Sequence, residues 1–285
     1  MVESRAATLV ASIGHLIPIP QVCARLQEML HSERSSAVEI SKVIGQDPAL
    51  SARLLRLANS PLYGSAQRVD TISRAVTLIG TAELQSIVVA ILASRSFDRL
   101  FIPANMLQKF WRHSIYAGVI GRTLAKHCGV LHRERLFVAC LLHDVGHLVM
   151  WHRIPGLMQV MEHRARVAQL PPFIAEREVF DLDHCDVGAA LIEHWNLPSN
   201  LLDVVQLHHS PERWSTNALD CAIVHISDAL AQVVDSEVSL EDVRIAPAAF
   251  ELTQVNLAML PKLIADASLL FNESMALLAP SEKRA

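Results

Sequence analysis

Apolar positions recur along almost the whole chain at helical spacing, and no stretch alternates apolar and polar as a half-buried strand would. In "PQVCARLQEML", Pro20 suits a first helical turn, and Val22, Leu26, Met29 and Leu30 share one face. "SAVEISKVIGQDP" follows with Ser36 as its candidate cap, and Pro48 ends it or opens the next helix. "ALSARLLRLANSPLYGSAQRV" reads as a helix broken at Asn59, Ser60 and Pro61, then a turn through Gly64. "TISRAVTLIG" and "TAELQSIVVAILASRSF" read as two helices joined at Gly80, with Thr81 capping the second. The same spacing predicts that Leu54, Leu57, Ile72, Val76 and Ile79 face a core shared with the rest of the chain.

A boundary is expected near "RLFIPAN", residues 99–105. Beyond it the pattern predicts a long helix from Ala104 to His127 carrying His113, then a helix from Arg133 to His152 containing "LLHDVGHLVM". "GLMQVMEHRARVAQL" follows, and "DVGAALIEHWNLP" and "SNLLDVVQLHHSP" are each closed by proline. "NALDCAIVHISDALAQVV" is an apolar helix carrying Asp228, and the stretch from Ser239 is helical without an evident chemical group. The expected class is all-α, organised as a helical half over 1–100, a second half over 101–235 and a helical extension over 236–285.

Composition agrees and narrows the function classes. Apolar residues are 51% and aromatics only 5% of the 285 residues, a mixture that favours helices packed on helices. A net charge of −4 and a pI near 6.4 provide no basic field for nucleic acid. The longest apolar run, "IVVAILA", is far short of the roughly 20 residues a bilayer span needs. The N-terminus lacks the features of a signal peptide, and five scattered cysteines without a CxxC fit reduced thiols, so a cytoplasmic location is expected.

The chemistry concentrates in the second half. A histidine and an aspartate stand side by side at His143 and Asp144 in a run that otherwise reads as buried, where an unpaired charge is costly. His113, the pair His208 and His209, and Asp228 lie on other apolar helices, and His184 stands just ahead of one. Imidazole and carboxylate together suit a divalent first-row transition metal such as iron, manganese, zinc or nickel, as one ion or two. The chain has 14 histidines, and nine lie outside this set, including His147, where a structural role is the default.

The ordered series resembles the HD superfamily of metal-dependent phosphohydrolases. "LIPIPQVCARLQEML", "EISKVIGQDPALSARLLRLANSPLYG", "TISRAVTLIGTAELQSIVVA", "FWRHSIYAGVIGRTLA" and "DHCDVGAALIEHWNLPSNLLDVVQLHHSP" narrow the resemblance to its HDOD family of bacterial signalling domains, over about residues 13–230. That resemblance implies an HD-type helical bundle with ligand positions at His113, His143, Asp144 and Asp228. The branch that cleaves cyclic dinucleotides adds positions corresponding to His184, His208 and His209. Two departures count against cleavage: His147 stands where that branch has lysine, and "HHSPERW" stands where it has a Gly-Tyr-Pro signature.

The expectation is therefore a signal-transduction module that binds a metal and acts by binding, through a signalling protein or a phosphorylated small molecule, with no membrane or nucleic acid. The alternative is a metal-dependent phosphohydrolase acting on a nucleotide or cyclic nucleotide. The segment 36–59 can also be read as a helix-turn-helix with Arg53 and Arg56 reaching DNA, but the acidic pI and the HDOD resemblance favour a packing unit.

Overall fold

A computed structural model provides the structure of the protein and describes residues 4–17, 36–60, 68–80, 100–131, 133–235 and 238–278, with isolated positions at 25–29 and 84–97. Among these residues every regular element is helical and no strand occurs. The helices are α1 (Arg5–Ala11), α2 (Ala37–Gly45), α3 (Pro48–Ala58), α4 (Ile72–Ile79), α5 (Ala104–His127), α6 (Arg133–Leu142) and α7 (Val145–Arg153). They continue as α8 (Pro155–Ala168), α9 (Pro172–Phe180), α10 (His184–His194), α11 (Ser199–Leu207), α12 (Ala218–Val234), α13 (Pro247–Thr253) and α14 (Leu260–Leu278).

Local chemistry sets the helix starts in the first half. Ser36 and Glu39 form a reciprocal capping box on α2, satisfying two amides that the helix cannot. The Asp47 carboxylate accepts the Leu50 N–H at 3.0 Å ahead of α3, and Thr71 accepts the Arg74 N–H at 3.3 Å on α4. Leu54, Leu57, Val76 and Ile79 are buried, while Ile72 is half-buried and packed against the same core. After α3 the Asn59 side chain pairs with both backbone groups of Val69 at 2.7 Å, joining the ends of the intervening loop. Pro20, Val22, Leu30, Pro61, Gly64 and Thr81 lie outside the described residues.

Helix α5 packs on α6, α12 and α14. A Cβ at Gly121 would collide with the Cys140 thiol, so glycine lets α6 close onto α5. The C-terminal α14 lies on α5 and reaches α3, with Phe271 against Tyr116 at a ring separation of 4.6 Å. At the other end α1 packs on α10 and α7, and the Trp195 indole N–H donates to the Ile17 carbonyl at 2.9 Å. No helix among the described residues is long and apolar enough to cross a membrane.

Two local expectations need correction. The helix anticipated from Arg133 to His152 is two helices, with His143 and Asp144 forming the turn between α6 and α7. The His143 ring turns back to bond the Cys140 carbonyl at 2.5 Å, and the Asp144 carbonyl accepts the His147 N–H at 2.9 Å as α7 begins. His184 is also not ahead of its helix but is the first residue of α10, where Asp183 caps it in a capping box with Asp186.

Helices α7 and α10 cross where Gly146 meets the backbone of His184: a Cβ at Gly146 would overlap the His184 carbonyl oxygen and lie 2.8 Å from the Gly188 nitrogen. Neither backbone can yield without moving a whole helix. Gly146→Ala is therefore expected to cost about 1–3 kcal/mol as overpacking. Gly156→Ala, with open space around it in the first turn of α8, is expected to stabilise by about 0.4–1 kcal/mol. Urea unfolding of the two variants reads both signs.

Candidate metal centre

Three sequence-distant elements bring the first group of donors together. His113 comes from the middle of α5, His143 and Asp144 from the α6–α7 turn, and Asp228 from α12. His113 Nε2 lies 3.2 Å from Asp228 Oδ1 and 3.8 Å from Asp144 Oδ2. His143 Nε2 lies 3.3 Å from Asp144 Oδ1 and 3.7 Å from Asp228 Oδ1. A second group combines Asp144 with His184, His208 and His209. Here His184 Nε2 and His208 Nε2 lie 3.2 and 3.6 Å from Asp144 Oδ1, and 3.4 Å from each other. His209 Nε2 approaches Asp228 Oδ2 at 3.9 Å, while its ring stacks on Phe173 at 4.4 Å. All seven residues singled out in the sequence thus meet in one cluster, with Asp144 common to both groups.

The ring orientations share a logic. His143 Nδ1 faces the Cys140 carbonyl, His208 Nδ1 the Val205 carbonyl at 2.9 Å, and His184 Nδ1 the Glu176 carboxylate at 2.7 Å. A carbonyl or carboxylate oxygen only accepts, so Nδ1 carries a proton in each and Nε2 is the atom left facing the cluster. His113 follows the pattern more loosely, with Nδ1 3.5 Å from Asp235 Oδ2.

Burial opposes charge throughout this cluster, and mutual attraction overrides it. Burial pushes the Asp144 carboxyl up, but the His143 and His184 imidazoles hold it well below the usual range. Asp228 is held down likewise by His113 and His143. Burial disfavours protonated His113, yet Asp228 and Asp235 raise it to about 10. His208 rises to about 10 against its burial, through Cys185 and Asp144. His209 moves well below its ordinary value through burial and the neighbouring His208. The buried carboxylates thus demand positive charge, which protons on imidazole or a divalent cation can supply.

The donor set fits a transition metal on a second ground. His113 Nε2, His143 Nε2 and Asp144 Oδ1 are buried without a hydrogen-bond partner, although their near neighbours lie within a few ångströms. Misaligned for hydrogen bonds to each other, these atoms still converge, which is the geometry of ligands around a common centre. Nitrogen and carboxylate oxygen are the donors that zinc, iron, manganese and nickel accept.

Three supporting residues, Glu176, Asp235 and Cys185, were not singled out for this site by sequence, and a fourth, His147, was noted only as standing where the cleaving branch has lysine. Glu176 lies on α9, a helix given no element in the sequence reading, although Pro171 and Pro172 mark its start. Its fully buried carboxylate accepts from His184 Nδ1 and the His184 backbone N–H on one oxygen, and from His147 Nε2 at 2.7 Å on the other. His147, assigned a structural role by default, sits with Nδ1 3.7 Å from Asp144 Oδ2. There burial and the neighbouring His184 disfavour its charge, but Glu176 and Asp144 raise it to about 9. Asp235 lies two turns beyond Asp228 on the same helical face, a spacing that could have flagged it, and accepts from Arg112 Nε at 2.7 Å. Cys185 places its sulfur 3.5 Å from His184 Nε2 and 3.8 Å from His208 Nε2. Burial pushes that thiol up, but His184 and His208 bring it below its ordinary value.

Comparison with known proteins places the chain in context. The family model described as HDOD domain matches residues 16–211. A protein of Treponema pallidum (strain Nichols) is 28% identical over 215 residues, 73% of this chain, and the chain spans only 41% of that relative. Among solved structures, an HDOD domain protein with unknown function from Geobacter sulfurreducens superposes with a TM-score of 0.77 at 22% identity, over 95% of this chain and 98% of that one. A protein provisionally described as a phosphohydrolase, from Shewanella amazonensis SB2B, gives a TM-score of 0.75 at 24% identity, over 97% and 99%. These structural likenesses bear on the fold.

Glutamine at position 176 has one acceptor oxygen where the carboxylate meets three donors. Glu176→Gln is therefore expected to destabilise by about 1–3 kcal/mol by leaving a buried donor unpaired. Glu178→Gln, on the exposed side of the same helix, should change stability by less than about 0.5 kcal/mol. Denaturant titration of both variants distinguishes the network from a general intolerance of α9.

Proposed function

The chain belongs to the HDOD domain family, and we propose that it is a signal-transduction module whose HD-type half, taken as residues 101–235, holds divalent transition metal at the Asp144-centred cluster and acts by binding. The observation that carries this reading is the convergence of buried, unpartnered His113 Nε2, His143 Nε2 and Asp144 Oδ1. His113, His143, Asp144 and Asp228 are the ligands proposed for one ion, and Asp144, His184, His208 and His209 those for a second. Such ions would polarise a bound oxygen donor. The protein's own part is to hold the imidazoles in one tautomer, keep the carboxylates ionised and limit water around them. The ligand proposed is a phosphorylated small molecule, which would approach through the partly exposed His113, Asp144, His147 and His209. The first half, residues 1–100, is the surface proposed to meet a signalling protein, and a cytoplasmic setting fits the free thiols.

Hydrolysis of a nucleotide or cyclic nucleotide is the second reading, and one observation favours it. Asp144 is shared by two donor groups, the arrangement that two-metal displacement at phosphorus employs. Against it stands position 147, where a Glu176-anchored imidazole takes the place of a mobile lysine.

Elemental analysis of the purified chain is expected to find up to two transition-metal ions. Asp144→Ala should remove both, because the shared carboxylate is lost, whereas His113→Ala should deplete only one. Metal affinity should also fall progressively as pH is lowered, because protons compete for the imidazole lone pairs, and His113 and His208 are raised to about 10 in the metal-free cluster. Metal-loaded protein should leave cyclic di-GMP intact over hours. Steady turnover abolished by Asp144→Ala would instead establish the hydrolase, and metal-free protein under all loading conditions would overturn both readings.

A further inference from the structure

The family match ends at residue 211, yet a histidine from each donor group is tied to the chain beyond it. His113 begins the first tie. Its Nδ1 faces Asp235 Oδ2 at 3.5 Å, and that oxygen is buried without a hydrogen-bond partner. The other Asp235 oxygen accepts from Arg112 Nε at 2.7 Å, and the Arg112 guanidinium lies 5.4 Å from the Phe271 ring on α14. Helix α14 grips the same turn of α5 again through Tyr116, whose ring lies 4.6 Å from Phe271 and whose hydroxyl pairs with Ser268.

His208 begins the second tie. Its carbonyl, at the C-terminal end of α11, faces His225 Nδ1 at 2.8 Å, and His225 Nε2 accepts the Ala246 N–H at 3.0 Å just ahead of α13. A carbonyl only accepts and an amide only donates, so both ends demand the same neutral tautomer of His225. Trp214 packs edge-on against that ring at 5.6 Å. The turn that presents His208 and His209 is thereby held to the start of the extension as well as to its own helix.

We propose that Asp235 and His225 are positioning residues through which the extension, residues 238–278, and the metal cluster hold each other in place, one tie for each donor group. The proposal rests on the metal-binding reading above. For His113, a carboxylate accepting from Nδ1 keeps the proton off Nε2 and makes that atom a better ligand. Coordination at Nε2 in turn makes Nδ1–H a stronger donor, which draws in the unpartnered Asp235 oxygen and with it Arg112 and α14. For His208 the tie acts on the backbone, fixing the turn from which two imidazoles reach the second ion. Coupling of this kind is reciprocal: docking of the extension raises metal affinity by the factor by which metal strengthens docking. Metal occupancy is thereby reported at α13 and α14.

Zinc affinity of the full chain, measured by competition with a chromophoric chelator, tests both ties. Asp235→Asn keeps the shape and removes the charge, and should bind one zinc ion about 10–100-fold more weakly while leaving the other unchanged. Ala246→Pro removes only the N–H donated to His225, because the Ala246 φ of −62° suits proline, and should weaken the other ion several-fold. In a His113→Ala background, which keeps only the second ion, Asp235→Asn should have no effect and Ala246→Pro its full effect. General loosening of the fold would not produce that split. Hydrogen exchange of the unaltered protein needs no variant: zinc should slow the amides of α13 and α14 more than those of α4. Unchanged zinc affinity in both folded variants, or α13 and α14 amides indifferent to zinc, overturns the coupling and leaves the metal reading standing. No zinc uptake by the unaltered protein overturns both.

Discussion

Asp228, buried, and Asp144, only partly exposed, are carboxylates held within a few ångströms of the same imidazoles. Taking such a group out of water costs several kcal/mol unless positive charge and hydrogen-bond donors meet it. The clustered imidazoles, five beside Asp144 and His209 beside Asp228, are the counter-charge available, and the neighbourhood of Asp144 contains no arginine or lysine ion pair among the described residues. Almost everything else about the second half can be understood as holding these carboxylates and imidazoles at fixed separations. His143 and His208 are tied by backbone carbonyls, and His184 by a buried glutamate.

Packing supplies the remaining precision. The α6–α7 turn offers His143 and Asp144 from a sharp corner, so that one faces the first donor group and the other is shared by both. Close contact of α7 with α10 through Gly146 then sets the depth at which His184 enters. Helix α9 contributes Phe173 and Glu176 from one face, three residues apart, and so stacks His209 and orients His184 and His147 together. A rotation of any of these helices would move several donors at once, which makes the cluster a property of the bundle and not of its individual ligands.

The ends of the chain are drawn into the same arrangement. Helix α1 lies on α7 and α10, behind the second donor group. Helix α14 lies on α5, where Arg112 sits 5.4 Å from the Phe271 ring and also donates to Asp235, the carboxylate beside His113. The extension that showed no chemical group of its own therefore touches the site through two side chains. His225 adds another link, accepting the Ala246 N–H at 3.0 Å on one nitrogen while the other faces the His208 carbonyl.

Much of this was legible in the linear chain, for reasons that are local. Helical periodicity depends on residues three and four apart, so the all-α class, the span of α5 from Ala104 to His127, the Ser36 cap and the buried faces of Leu54, Leu57, Val76 and Ile79 could be read directly. The seven donors could be nominated because histidine and aspartate are out of place on apolar helices. Periodicity does not register a turn inside an apolar run, so the break at His143 and Asp144 passed as continuous helix. Nor can it tell which of 14 histidines face inward together, or that Glu176, Asp235 and Cys185 stand behind them. Those facts depend on how α5, α7, α9, α10 and α12 cross, and the crossings are decided by close contacts between distant residues such as Gly146 and His184. Residue type and spacing thus set the helices and the chemical character of their donors, whereas which donors converge was settled by helix packing, because it depends on separations of a few ångströms between residues as far apart in sequence as His113 and Asp228.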